Sequence, residues 1–530
     1  MNISKITHYI PKYLYFIFFL VVVFTFSRCT KDFAKINTNP YSLSTDVLVD
    51  SPVLQGQALA QAQYTQMNGL HWRFQISQNL FSDLWAGYYA TTAVGFDSDR
   101  FTQVGRWAGL AWGSFYEVSA PQIKLVEDLA AENGNAVGEA IAKIVKVNGY
   151  HRITDYWGPV PYSQFGNQEL TVPYDSQEEI YKDLFKNLDE ASSALSGGGV
   201  SYAASDRIYG GDGAKWRKLA ESLRLRLALR VRYVDPALSR SEAEKAFNSG
   251  ALITDPADNA FVAADDKNRN PLETITDWGE FRMSANMESI LKGYQDPRLQ
   301  SFFDPANDGD SDGDGNPYEG LQNGQTKVAL GDSKNNNHSD INVKYRDVAN
   351  GGENPPIPVF QASETHFLLA EAALAGYSVG GTAEQYYNSG IATSMKETTG
   401  ASDADIEAYT KSTNTPVSFD GGVTPPVTDI PVLFDSSDDE RGFEQIITQK
   451  WIALFPNGWE AWAEARRTGY PRQYPRVATE NADVPVDQIP RRMVYVEPEY
   501  TTNEEAVTEA VSSKLGGADK NNVKLWWDKK

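Results

Sequence analysis

Ser176-Gln177-Glu178-Glu179-Ile180-Tyr181-Lys182-Asp183-Leu184-Phe185-Lys186-Asn187-Leu188-Asp189-Glu190-Ala191-Ser192-Ser193-Ala194-Leu195 places apolar side chains at 180, 184, 188, 191 and 195. Steps of three and four residues put them on one face of an α-helix. Ser176 and Glu179 have the spacing of a capping box, in which each side chain satisfies the other's free backbone N–H. Upstream, Gly138 to Tyr150 reads as a second helix, and Asp155-Tyr156-Trp157-Gly158-Pro159-Val160-Pro161-Tyr162 reads as a loop from its glycine and prolines. A helix with one apolar face must bury it, so the unit is an antiparallel helix pair.

Working outward, the same design recurs. Ala214 to Val234 is helical, and Ser241 with Glu244 predicts the cap of a shorter helix carrying Ala243 and Phe247. Ser363 to Ala375 ends at Gly376, and Thr382 with Gln385 caps a helix to about Met395. Arg441 to Leu454 is followed, across Pro456-Asn457-Gly458, by Trp459 to Arg467. Four hairpins, at 138–195, 214–249, 363–396 and 441–468, are expected to stack as tetratricopeptide-like pairs do, each covering its neighbour's apolar face. Residues 255–360 and 397–440 are rich in Gly, Pro, Asn and Asp and predict long loops with small β elements. The fold class is mainly α.

Composition bounds the function. In 530 residues, hydrophobic side chains make up 41% and charged ones 22%, enough for a large core. The formal net charge is −22. A surface this acidic repels phosphate backbones, so nucleic acid is set aside as a partner.

The N-terminus reads as an address. Lys5 and Lys12 precede an uncharged apolar run from Tyr13 to Phe26, then Ser27, Arg28 and the one cysteine, Cys29. A helix over that run would cover roughly 21 Å, short of a hydrocarbon core of roughly 30 Å, so a signal peptide is favoured over a spanning anchor. Residues 1–28 are assigned to a lipoprotein signal and Cys29 to lipidation, leaving 29–530 as the mature chain. Arg28 departs from the small residues usual before a lipidated cysteine. Removing Lys5, Lys12 and Arg28 and no acids makes the exported chain still more acidic. Lys31-Asp32 resembles the short charged signal that sends some Gram-negative lipoproteins to the cell surface.

Several segments together resemble one family. They are Asp155 to Ser163, Lys215-Trp216-Arg217-Lys218-Leu219-Ala220 leading to Leu223-Arg224-Leu225-Arg226, and Phe367-Leu368-Leu369-Ala370-Glu371-Ala372. Gln449-Lys450-Trp451-Ile452-Ala453-Leu454, Trp459-Glu460-Ala461-Trp462, Arg466-Arg467-Thr468-Gly469-Tyr470-Pro471, Pro490-Arg491-Arg492 and Trp526-Trp527-Asp528 follow in the same order. The pattern resembles the SusD/RagB-like outer-membrane nutrient-binding lipoproteins, in their SusD-like branch. The resemblance implies a SusD-like domain over 29–530 whose helix hairpins bear on a SusC-like TonB-dependent transporter. Its loop-rich part would hold an oligosaccharide or a peptide for delivery. It implies no catalysis and requires no cofactor.

The residues themselves offer binding chemistry. His71, His151, His338 and His366 are isolated and no nucleophile elbow is present, so a glycoside hydrolase is the weaker reading. The other rival is a tetratricopeptide-type scaffold with no small ligand. Flat rings suit sugar faces because they offer apolar area with few rotors. Trp216, Trp451, Trp459 and Trp462 fall within helix-pair motifs and are assigned to the core. Trp72, Trp85, Tyr88 and Tyr89, with Trp278 and Phe281 further on, are the ligand candidates. The cations of the helix from Lys215 to Arg232, and Arg466-Arg467, are expected to be salt-bridged or solvated. Asp308-Gly309-Asp310-Ser311-Asp312-Gly313-Asp314-Gly315-Asn316-Pro317-Tyr318-Glu319 has calcium-loop spacing, with oxygen ligands expected from Asp308, Asp310, Asp312, Asp314, Asn316 and Glu319.

Overall fold

The computed structural model describes residues 51–67, 72–169, 171–331 and 336–530. Cys29 and the whole signal segment lie outside these residues. Within them, the main elements in chain order are α1 (Pro52–Thr65), α2 (Trp72–Phe74), β1 (Tyr89–Thr91), α3 (Gly105–Gly113), α4 (Ala120–Glu132) and α5 (Ala136–Trp157). Then come β2 (Val160–Pro161), β3 (Tyr174–Asp175), α6 (Gln177–Ala194), α7 (Gly213–Arg230), α8 (Pro236–Asn248), β4 (Ala260–Val262), α9 (Leu272–Trp278), β5 (Phe281–Met283) and α10 (Ala285–Tyr294). The last are β6 (Ile357–Phe360), α11 (Ala362–Leu374), α12 (Ala383–Thr399), α13 (Asp403–Thr410), α14 (Asp439–Leu454) and α15 (Gly458–Thr468). The fold is mainly helical, and the strands form two-stranded antiparallel ribbons, β1–β5, β2–β3 and β4–β6. No helix among the described residues is long and apolar enough to cross a membrane.

The helices stack through neighbouring faces. α5 lies between α4 and α6, α6 packs on α7, and α7 packs on α8 and α11. α11 packs on α12 and α14, α14 on α15, and α15 returns to the π-helical segment Gln75–Asp83 that continues α2. That last approach requires a glycine: a Cβ on Gly458 would fall 2.0 Å from Asp83 Oδ1.

Capping chemistry sets several boundaries. Ser176 with Glu179 and Thr382 with Gln385 form complete capping boxes. Ser241 and Glu244 do not; α8 begins earlier because Asp235 accepts from the Leu238 amide and Pro236 is preset for the first helical position. Asp155, Tyr156 and Trp157 are helical rather than part of a loop, and α5 stops only at Gly158, whose φ of 89° a residue with a side chain rarely adopts.

That extra turn explains the charged residues of the neighbouring helices. Asp155 accepts from Tyr181 (2.6 Å), Trp527 Nε1 (2.8 Å) and Arg230 (3.0 Å). Arg230 also pairs with Glu460, Arg226 grips Glu364 through two bonds of 2.7 and 2.6 Å, and Arg467 holds both Glu371 and Glu464. Arg466 lies over the Trp462 ring at 3.5 Å. These side chains are buried, so they join helix to helix inside the stack and present no basic face. Trp216, Trp451, Trp459 and Trp462 are buried with them.

Candidate functional site

The β1–β5 ribbon pairs Tyr89 with Met283 and Thr91 with Phe281, and draws the candidate aromatics inward. Trp85, Tyr88, Tyr89 and Phe281 are fully buried, which corrects their assignment as ligand contacts. Trp85 donates to the Ser98 carbonyl (3.1 Å) and meets Trp462 edge-on at 5.0 Å. Tyr88 donates to the Trp451 carbonyl (2.7 Å), and Phe281 stacks on Phe96 at 5.6 Å. Neighbouring side chains already cover these rings, and uncovering one would open a cavity in the core.

Trp72 and Trp278 differ. They are 46% and 50% exposed, and of the chain's twelve tryptophans they alone are exposed. The elements that carry them, α2 and α9, pack against each other. Gln75 donates to Glu280 at 2.8 Å, tying the residues just beyond each ring. α9 ends at Gly279 in the left-handed region (φ 65°), so the chain turns directly from Trp278 into β5. Half-buried Phe96, edge-on to half-buried Trp107 at 5.9 Å, continues the row of rings from Phe281.

Polar groups rim this face. Asp277 accepts from the Asp347 amide (3.1 Å) and the Asn350 side chain (3.2 Å), and Arg269 pairs with Glu273 (3.3 Å) and with Asp347. The Arg73 guanidinium stands 5.8 Å from the Trp72 ring. Burial raises the Glu280 carboxyl above the usual range, and the Gln75 bond pulls it back only in part. Burial likewise raises Glu273, with Arg269 opposing it. The face can therefore offer two flat rings together with amide, carboxylate and guanidinium groups, the set a pyranose ring needs for stacking and hydroxyl contacts. The exposure of a ring depends on its tertiary neighbours, so the sequence pattern did not separate Trp72 and Trp278 from Trp85. Gln75, Glu280 and Asn350 carried no signal of their own.

Two clefts lie away from the exposed rings. One, of about 330 Å³, is lined by Gln473, Arg476 and Arg491, and the other, of about 390 Å³, by Gln177, Lys514 and Trp526. Trp526 is half-buried and tilted against Tyr181 at 5.8 Å. Neither presents an exposed flat ring, so the aromatic face is the better candidate despite its shallowness.

The acidic loop does gather carboxylates. Asp310, Asp312, Asp314 and Glu319 each bring one oxygen within 4.8 Å of the others. Asp308 stands outside that group, a correction to the twelve-residue register. Gly309, at φ 77°, turns the chain between Asp308 and the cluster, and Asn316 Oδ1 accepts from the Tyr318 amide at 3.2 Å.

Known proteins place the fold. A family model described as SusD-like, the Susd and RagB outer membrane lipoproteins, matches residues 35–528. A chitin-binding SusD homolog from Flavobacterium johnsoniae is 33% identical, with 89% of this chain and 98% of that one covered and a TM-score of 0.81. A SusD homolog from Bacteroides uniformis is 31% identical, covering 90% and 99%, with a TM-score of 0.80. A structure named only as a chitin-binding protein is 30% identical, covering 91% and 100%, with a TM-score of 0.75. No curated protein sequence matches the chain.

Proposed function

This chain belongs to the SusD/RagB family of outer membrane lipoproteins, and from that premise we propose that it captures oligosaccharides at the Trp72–Trp278 face and passes them to a SusC-like TonB-dependent transporter. The observation that carries the reading is the pair of half-exposed tryptophans on packed elements, the two exposed among the chain's twelve. A buried tryptophan removes roughly 150–250 Å² from water. About half remains uncovered here, so a sugar lying on each ring gains about 2–3 kcal/mol from roughly 100 Å² of apolar area. Two such rings suit an extended chain of sugars better than a single monosaccharide.

Two solved relatives are named chitin-binding, which makes chitin-type oligosaccharides the first ligands to test. The action is capture without bond cleavage. In this reading acyl chains on Cys29 hold the protein at the outer membrane, at about 0.8 kcal/mol per buried methylene, with the ligand face turned to the cell exterior. The helix stack bears on the transporter and the loops bear the ligand.

The test combines a binding screen of purified protein against oligosaccharides and peptides with affinity purification from the native outer membrane. The expected result is saturable binding of an oligosaccharide and recovery of a TonB-dependent transporter. Transporter recovery with no ligand would favour the scaffold reading, and cleavage of a bound glycan would favour the hydrolase.

A further inference from the structure

Between Ala306 and Gly320 the chain turns repeatedly on Gly309, Gly313 and Gly315, all in the left-handed region. The turns collect the Asp310, Asp312, Asp314 and Glu319 carboxylates, and no two of the oxygens they offer are more than 4.8 Å apart. Crowded surface acids are common, and by themselves they say little. The fourth member is different. Glu319 is only 3% exposed, its Oε2 accepts from Ser311 (2.9 Å), and its Oε1 is buried with no hydrogen-bond donor.

The charges around that oxygen do not balance. Lys292, from α10, stands 3.6 Å from Glu319 Oε1, beyond hydrogen-bond reach, while its ammonium is engaged by Glu288 at 2.8 Å and Asp314 at 2.9 Å. One buried ammonium therefore serves three carboxylates, those of Glu288, Asp314 and Glu319, while Asp310 and Asp312 add two more to the cluster. A buried carboxylate oxygen that accepts no hydrogen bond is costly, and an ammonium at 3.6 Å that is shared with two other carboxylates offsets that cost only in part.

We propose that Asp310, Asp312, Asp314 and Glu319 form a Ca²⁺ site, with the buried Glu319 Oε1 as the anchoring ligand. The dimensions fit that ion. Oxygens on opposite sides of a Ca²⁺ at roughly 2.4 Å are at most about 4.8 Å apart, and the four carboxylate oxygens lie within that distance of one another. An all-oxygen donor set on an irregular loop also suits the flexible coordination of calcium, with backbone carbonyls and water completing the shell. Asp312 Oδ2 also accepts from the Gly421 amide at 3.0 Å. The ion would thus pin the 308–319 loop against α10 and against the segment that contains Gly421.

The test is titration calorimetry of the chelator-treated full chain with CaCl₂, paired with thermal melts. The expected result is one site with a dissociation constant of roughly 10⁻⁴ M or tighter, a higher melting temperature in calcium, and weaker binding of Mg²⁺. Glu319→Gln and Asp312→Asn should each weaken binding at least tenfold, whereas Asp308→Asn, outside the cluster, should leave it unchanged. Circular dichroism checks that each variant is folded, and the exposed Asp310→Asn replaces any that is not. Absence of saturable Ca²⁺ binding to the wild-type chain would overturn the proposal. So would equal loss in Asp308→Asn and Glu319→Gln, or full affinity in the folded cluster variants.

Discussion

Gln75 Nε2 donates to Glu280 Oε2 at 2.8 Å, and through this one bond the segment that follows Trp72 is joined to the turn that follows Trp278. A platform of two rings gains affinity when its spacing is set before the ligand arrives, because less freedom is lost on binding. Gln75→Met keeps the bulk and removes the donor. Oligosaccharide affinity should fall roughly threefold to tenfold, equivalent to about 1 kcal/mol for a hydrogen bond, with little change in melting temperature. Calorimetry beside a melt reads both.

Burial separates the aromatic residues by what their loss should do. Trp85→Ala removes a ring packed edge-on against Trp462 and should cost about 3–5 kcal/mol of stability. Trp278→Ala, on a half-exposed ring, should cost no more than about 0.5 kcal/mol. Denaturant unfolding of the two variants side by side tests the distinction.

Charge inside the helix stack makes a third case. Arg467 binds Glu371 at 2.6 and 2.7 Å and Glu464 at 2.6 Å, all within the buried interior. Arg467→Met leaves those carboxylates buried without their main partner, so a loss of about 3–5 kcal/mol is expected in urea unfolding. Replacing Glu371 by Gln in the same chain should recover part of that loss.

Acid should weaken the fold in two steps. Burial, with Arg226 adding to it, lowers the His151 pKa to about 3 from an ordinary 6.5. Below 6.5 the unfolded chain takes up a proton that the folded chain refuses, so stability falls as pH drops towards 3. Burial raises Glu460 and the Arg230 and Arg226 guanidinium groups more than reverse it, holding the carboxyl at about 2. Its contribution is complete above the ordinary value of 4.5 and is lost as pH falls towards 2. Between 6.5 and 4.5 only the histidine of this pair titrates, so His151→Phe should flatten the stability curve there. Urea midpoints measured across that range check it.

Helix pairs were legible because their signals are local. The apolar spacing of Ile180, Leu184 and Leu188 and the capping boxes at Ser176 and Thr382 need no distant partner to be recognised. Where two local signals competed, the sequence reading failed: Asp235 and Pro236 start α8 before Ser241 can cap it. The helices α1, α3 and α4 were overlooked. In α1, Gln55 and Gln63 occupy buried positions, so polar side chains interrupt the apolar stripe that would have revealed it. The site was harder still. Trp72 and Trp85 are the same residue type thirteen positions apart, and only the packing of the β1–β5 ribbon and α15 leaves one in solvent and the other enclosed. In the acidic loop the spacing did gather four carboxylates, but the long-range contact with Lys292 could not be read from it.

The central claim is that the Trp72–Trp278 face holds the carbohydrate, and a calorimetric titration of chitin-type oligosaccharides into the wild type and a folded Trp72→Ala/Trp278→Ala chain tests it most directly. The account predicts saturable binding by the wild type and a loss of at least a hundredfold, about 2.7 kcal/mol, in the double variant. Equal affinity in the two proteins would contradict it.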